Sequence, residues 1–145
     1  MHPVLRLYED SISGGAPAVQ LPALLASADG QLKNFSLRWY DEAALTVIMA
    51  TKGYPGEYGK GSAIEGLDEA AKVEGVEIFH AGTVAKDDKI LANGGRVLNI
   101  CATGNTVTEA QRRAYQAVDR IQWPEGFCRR DIGWQAVERE KGGSP

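Results

Sequence analysis

The period of the apolar residues changes several times along this chain, and each change marks an element. Leu21, Leu24, Leu25 and Ala28 fall on one face of a short helix, with Pro22 suited to its first turn and Gly30 to its stop. From Asn34 to Asp41 the apolar residues Phe35, Leu37 and Trp39 recur at every second position, the period of an extended segment. Residues 44–50 (Ala-Leu-Thr-Val-Ile-Met-Ala) are apolar on both faces, which predicts a central strand covered on both sides. The next stretch, Thr51 to Gly61, holds four glycines and a proline in eleven residues and predicts a loop. A short strand over Ala63–Glu65 and one or two helical turns over Leu67–Lys72 follow.

Val76–Ala81, Lys89–Ala92 and Arg96–Ala102 predict three antiparallel strands in a meander. Asp87-Asp88 and Asn93-Gly94-Gly95 supply its turns, because Asn and Gly tolerate positive φ. The strongest helical signal comes next. Thr106 is its N-cap and Glu109 completes a T-x-x-E capping box. Val107, Ala110, Ala114, Ala117, Val118 and Ile121 form its apolar stripe, Glu109 and Arg113 can pair across one turn, and Pro124 limits it. Arg112, Arg113 and Arg120, interleaved with Glu109 and Asp119, predict a solvated face rather than a basic binding helix.

The expected class is α+β: a small antiparallel sheet, or a partly closed barrel, with one main packed helix. Residues 1–20 carry no helical or strand period and form a separate, atypical segment; 21–42 are the short helix and extended linker; 43–140 are the main domain; 141–145 are a frayed tail.

Composition narrows the function more than the fold. The chain has 145 residues, 43% of them hydrophobic and 24% charged, enough for one domain with a true core. A net charge of −3 gives no basic field to draw in nucleic acid or an anionic membrane. Nor does any strand alternate exposed aromatic and basic residues as a base-stacking platform would. No apolar run approaches the ~20 residues of a bilayer span, and the N-terminus lacks a signal-peptide plan, so a cytoplasmic location is expected.

The familiar phosphate-binding, dinucleotide-binding, nucleophile-elbow and zinc-helix motifs are absent, and no carboxylates cluster as a magnesium pair. No catalytic acid, base, nucleophile or metal ligand is therefore expected. Cys101 lies in an apolar strand pattern and reads as a small core residue. Cys128 adjoins two arginines that would lower its pKa, yet no His or Asp stands at a spacing that marks a nucleophile, and a structural role is expected. His80 follows Val76 and Ile78 on one strand face and reads as packed and hydrogen-bonded; Trp39, Trp123 and Trp134 read as core or interdomain packing.

Three short words remain: Lys52-Gly53-Tyr54-Pro55-Gly56, Asn93-Gly94-Gly95-Arg96-Val97 and Arg129-Arg130-Asp131-Ile132-Gly133. Each places backbone-permissive glycine beside a charged or amide side chain, as loops that approach a small anion do. The first is either a tight turn or a place where Gly53 and Gly56 bring N–H groups, and Lys52 a charge, to a ligand. The second is either a hairpin turn or a site in which Arg96 offers its planar fork to a carboxylate or phosphate. The third is either a site element or an internal salt bridge pinning the C-terminal segment.

Together, in this order, these words resemble the C-terminal domain of the glycinamide ribonucleotide synthetases (phosphoribosylamine–glycine ligases), ATP-grasp enzymes of purine biosynthesis. The resemblance is continuous from about Leu21 to about Glu140. It implies a small hybrid-barrel-like domain closing one side of a substrate cleft. There Lys52, Gly53, Tyr54, Gly56, Asn93, Gly94, Gly95 and Arg96 would face phosphoribosylamine, glycine or product, with Arg129, Arg130 and Asp131 secondary. In such enzymes ATP drives the joining of the glycine carboxylate to the phosphoribosylamine amine through a glycyl phosphate. ATP and the Mg or Mn ion are held by earlier domains, so this chain alone is expected to bind neither and to be inactive. Residues 1–20 do not read as the preceding metal-binding segment, and the alternative is a stand-alone, self-associating or trans-complementing module from a truncated gene.

Overall fold

The computed structural model describes residues 20–34 and 41–142, with side chains described from Ala23 onward. The segments 1–19, 35–40 and 143–145 lie outside the described residues, and with them the alternation of Phe35, Leu37 and Trp39. The chain divides at Glu42/Ala43 into two units. In the first, helix α1 (Gln20–Ala28) closes at Gly30, whose φ of +66° suits a glycine stop, and a single 3₁₀ turn (Leu32–Asn34) follows.

The second unit holds two antiparallel sheets. Strands β1 (Ala43–Thr51), β3 (Val76–His80), β6 (Arg96–Gly104) and β7 (Gly126–Phe127) form one, in the order β3-β6-β1-β7. Strands β2 (Ala63–Ile64), β4 (Thr83–Lys86) and β5 (Lys89–Ala92) form the other, in the order β2-β5-β4. Helix α2 (Leu67–Ala71) precedes β3, α3 (Val107–Val118) follows β6, and α4 (Trp134–Glu140) ends the described chain.

The core is built by register. Leu45, Val47 and Met49 of β1 stand opposite Ala102, Ile100 and Leu98 of β6, and all six are buried. Onto β1 and β6 packs α3, through Ala110, Ala114 and Ala117, which have no exposed surface. Alanines bring the helix close, and a Cβ at Gly104 would lie 2.9 Å from the Ala110 nitrogen. The capping box forms with a shift: Thr106 Oγ1 accepts from the Glu109 N–H at 3.1 Å, while the Glu109 carboxylate accepts from the Asn105 N–H, one residue before the cap.

Several expectations change. β1 is central but not covered on both sides: Ile48, on the face opposite the core, is 43% exposed. The meander is replaced by two sheets. β3 pairs with β6 rather than with β5, and an unexpected strand, β4, forms the hairpin with β5. Asp87 and Asp88 at its tip have φ of 50° and 57°, left-handed at both central positions as a two-residue hairpin turn requires. Val84, Ala85 and Lys86 are all exposed, so β4 has no buried face to announce it. The arginines expected on a solvated face are not all solvated either. Arg113, 16% exposed, donates to the Thr103 carbonyl at 2.7 Å and pairs with Glu109 at 3.1 Å and Glu74 at 3.5 Å. Arg120 donates to the Glu69 carbonyl.

His80 is exposed rather than packed, with Nδ1 2.9 Å from the Thr83 hydroxyl. Cys101 is buried, as expected of a small packed residue, though on the sheet face shared with Ile48, its sulfur 3.1 Å from the Thr46 hydroxyl. Trp123 is buried, Nε1 donating to the Ser62 hydroxyl, whereas Trp134 is 50% exposed and Trp39 is outside the described residues.

At the end of α4, Glu140 accepts from the Val107 and Thr108 N–H groups and from the Thr108 hydroxyl, so the first turn of α3 is capped from 33 residues away. These donors, the Thr108 hydroxyl first, hold the Glu140 carboxyl below its ordinary pKa. A depressed carboxyl contributes stability that is complete above the unfolded-state value, near ~4.3, and lost as pH falls through the folded one. The Tm difference between the wild type and Glu140→Gln is therefore expected to be largest at neutral pH and to shrink below about pH 4. A difference that is flat from pH 7 to 3, measured by thermal denaturation, would show that the charge contributes nothing.

Candidate functional site

The ends of β1 and β6 bring the first two sequence words together. Regular pairing of these strands runs to Met49↔Leu98 and then shifts to Ala50↔Arg96, a bulge that leaves Val97 as the extra residue. Val97 and Leu98 are consecutive and both fully buried, and Arg96 emerges exposed. Without the bulge, alternation would turn Arg96 to the core side with Leu98.

Thr51 joins the two loops. It is the only buried polar residue among those described, at 3% exposure. Its hydroxyl donates to the Gly94 carbonyl at 2.8 Å and its backbone N–H donates to the Gly95 carbonyl, also at 2.8 Å. Beyond it the chain turns through Lys52–Pro55, closed by Tyr54 N–H to the Thr51 carbonyl, with a cis Tyr54–Pro55 bond. Gly53 has φ of +95°, and a Cβ there would lie 2.1 Å from the Glu57 carbonyl oxygen, so this position is closed to other residues twice over. Lys52 is exposed, and its N–H donates to the Glu125 carbonyl.

The Tyr54 ring covers Gly95. A Cβ at Gly95 would fall 2.1 Å from Tyr54 Cδ2, and the Arg96 guanidinium carbon lies 6.0 Å from the ring centroid. Gly94 and Gly95 do not have positive φ, so close approach, not turn geometry, explains glycine here. The Asn93–Gly95 segment is correspondingly no hairpin turn; it carries the chain from β5 in one sheet to β6 in the other.

The electrostatic character follows from these bonds. The Gly94 and Gly95 carbonyls are engaged by Thr51, so these acceptors turn inward, while the exposed charges of the two loops are three cations, Lys52, Lys60 and Arg96, and one carboxylate, Glu57. Such a corner suits a carboxylate or phosphate. Asn93 and Gly56 belong to the same two loops, and the Asn93 N–H is taken by the Gly82 carbonyl.

The third word is held elsewhere. Arg129 makes a bidentate pair with Asp131 at 2.9 and 2.6 Å, and Arg130 pairs with Asp119 at the end of α3, its guanidinium carbon 5.4 Å from the Tyr115 ring centroid. The Tyr115 hydroxyl donates to the Arg129 carbonyl and accepts from the Ile132 N–H. Burial raises the pKa of Tyr115 and, despite Arg130, that of Cys128, the opposite of the lowering expected from its arginine neighbours. This is the internal salt-bridge arrangement, tying the C-terminal segment to α3.

A separate open cleft of about 630 Å³ lies along β2, α2 and the β4–β5 turn. Glu65, Asp68, Glu69 and Asp88 line it with His80 and Lys89, and none of the sequence-expected residues reaches it. Two positions that matter at the loops, Thr51 and Gly82, were missed by the sequence words. Neither carries a local signal: Thr51 is one of two threonines in its strand, the other being the half-buried Thr46.

Comparison with known families settles the lineage of this fold. Residues 44–135 match the model of the phosphoribosylglycinamide synthetase C domain. The chain belongs to that family. The chain is 64% identical over 121 residues to the phosphoribosylamine–glycine ligase of Mesorhizobium japonicum, covering 83% of this chain and 28% of the relative. The chloroplastic ligase of Arabidopsis thaliana is 48% identical, with 94% of this chain and 28% of that protein covered. The crystal structure of the Thermotoga maritima ligase superposes with a TM-score of 0.61 at 34% identity, over 77% of this chain and 27% of that one. The chain thus spans little more than a quarter of the length of the relatives it matches.

Proposed function

We propose that this chain forms one wall of the substrate cleft of a phosphoribosylamine–glycine ligase. The observation that carries the reading is the joining of the Lys52–Gly56 and Asn93–Arg96 loops through Thr51, which puts two cationic side chains on one rigid corner. The matching C-domain family and the ligase relatives support the substrate class. In that reaction an ATP-activated glycine carboxylate is joined to the amine of 5-phosphoribosylamine, with release of ADP and phosphate. Both partners carry the anionic groups such a corner binds. Its contribution is to hold and orient them and to exclude water, with no proton transfer by its own side chains.

Among the described residues, no three His, Cys, Asp or Glu side chains converge as metal ligands, and the Mg or Mn ion that accompanies ATP in such a ligase is assigned in this reading to domains outside this chain. No step through the metal is assigned to this domain. No described helix is long and apolar enough to cross a membrane, and the proposed setting is the cytoplasm.

The 145-residue chain alone is expected to release no ADP with ATP, glycine and phosphoribosylamine. Mixed with a ligase truncated before its own C domain, it is expected to restore turnover. In that mixture Arg96→Gln should lower kcat/KM about tenfold to a hundredfold, the worth of a hydrogen bond to a charged group. Turnover by the chain alone, or a mixture indifferent to Arg96, would overturn the reading.

A further inference from the structure

We propose that Gly82, in the turn between β3 and β4, is a positioning residue for Arg96, acting as a brace behind the bulge that aims it. The functional weight of this brace rests on the substrate-wall reading; the brace itself rests on geometry. The Ala81 and Gly82 N–H groups both donate to the carbonyl of Val97, the extra residue of the bulge, at 3.0 and 3.1 Å. In return, the Gly82 carbonyl accepts from the Asn93 N–H at 2.7 Å. The turn therefore holds the loop at both ends, Asn93 before it and Val97 after it.

Gly82 does not have positive φ, so its own backbone conformation makes no demand for glycine. Space does. A Cβ at Gly82 would lie 2.5 Å from the Arg96 carbonyl oxygen and 3.1 Å from Gly94 Cα. Both are backbone atoms, so no rotamer change relieves the clash, and the segment bearing Arg96 must move. The fit is reciprocal, since a Cβ at Gly94 would meet Gly82 Cα at 3.2 Å. Opposite the turn, Thr51 grips the Gly94 and Gly95 carbonyls. The loop is thus clamped between two supports, and the Arg96 side chain is the charged group that leaves the clamp exposed.

The test is NMR on the full chain, following the backbone amides of 93–96, the Tyr54 ring and the Arg96 Nε–H. Gly82→Ala is expected to displace the Arg96 Nε–H and Tyr54 ring signals and to speed exchange of the Asn93 amide at least tenfold, with α3 unchanged. Gly59→Ala, where a Cβ would enter open space, should do none of this. Wild-type signals at Arg96 and Tyr54 in Gly82→Ala would overturn the proposal. Should that variant not fold, the wild type decides: an Hα–Hα Overhauser contact between Gly82 and Gly94 and a slowly exchanging Asn93 amide support the brace, and their absence overturns it. The substrate-wall reading fails separately, in the mixing experiment.

Discussion

Alanine at Gly95 is expected to expel the Tyr54 ring from the loop and to lower the unfolding free energy by about 1–3 kcal/mol, the usual range for overpacking. The added Cβ would sit 2.1 Å from Cδ2, 2.5 Å from Cε2 and 3.0 Å from Cγ of the ring. Contact reaches back to Cγ, so a small tilt does not clear it and the whole ring must leave. Gly95 is held too, because its carbonyl accepts from the Thr51 N–H. The displaced ring also gives up its position beside the Arg96 guanidinium, which lies 6.0 Å from its centroid. Urea denaturation of Gly95→Ala against Gly59→Ala checks the magnitude, and the chemical shifts of the Tyr54 ring check the cause. A stability equal to that of Gly59→Ala, with the ring signals unmoved, would mean that Tyr54 is not packed on Gly95.

The same contact shows why the site was legible in the sequence as words but not as an arrangement. Asn93-Gly94-Gly95 satisfies every local rule for a hairpin turn, and only the pairing partners of β5 and β6 show that it links two sheets. Those partners are set by tertiary packing. β3 takes the place beside β6 because Val76 and Ile78 can lie opposite Ala102 and Ile100 over the core, while β5 finds Val84 and Ala85 on a short strand with no buried face to announce it. The start and stripe of α3 are readable, since cap, stripe and ion pair are local features with a fixed period, although the helix ends at Val118 and the expected stripe residue Ile121 lies beyond it. Arg113 shows the limit of such reading. Its neighbours in sequence suggested a solvated face, and its partners Glu74 and Thr103 come from elsewhere in the fold. Gly82 and Thr51 were invisible for the same reason, because the atoms that require them lie at least a dozen residues away in sequence.

The largest loss of stability is expected at Ile100, where truncation to alanine should cost about 2–5 kcal/mol. Ile100 stands at the centre of the four-stranded sheet, opposite Val47 on one side and Ile78 on the other, with no exposed surface. Beneath α3 the contacts come from alanines, whose side chains have no rotamers with which to fill the space left behind. A domain of this size has roughly 5–15 kcal/mol of total stability, so the variant would sit near its unfolding threshold at 37 °C. Ile48 provides the control on the same sheet. At 43% exposure on the opposite face it leaves no closed cavity, and Ile48→Ala should cost well under half as much as Ile100→Ala. Urea midpoints at unchanged m-value measure both. Equal losses at the two positions would mean that the open face of the sheet is as tightly covered as the face beneath α3.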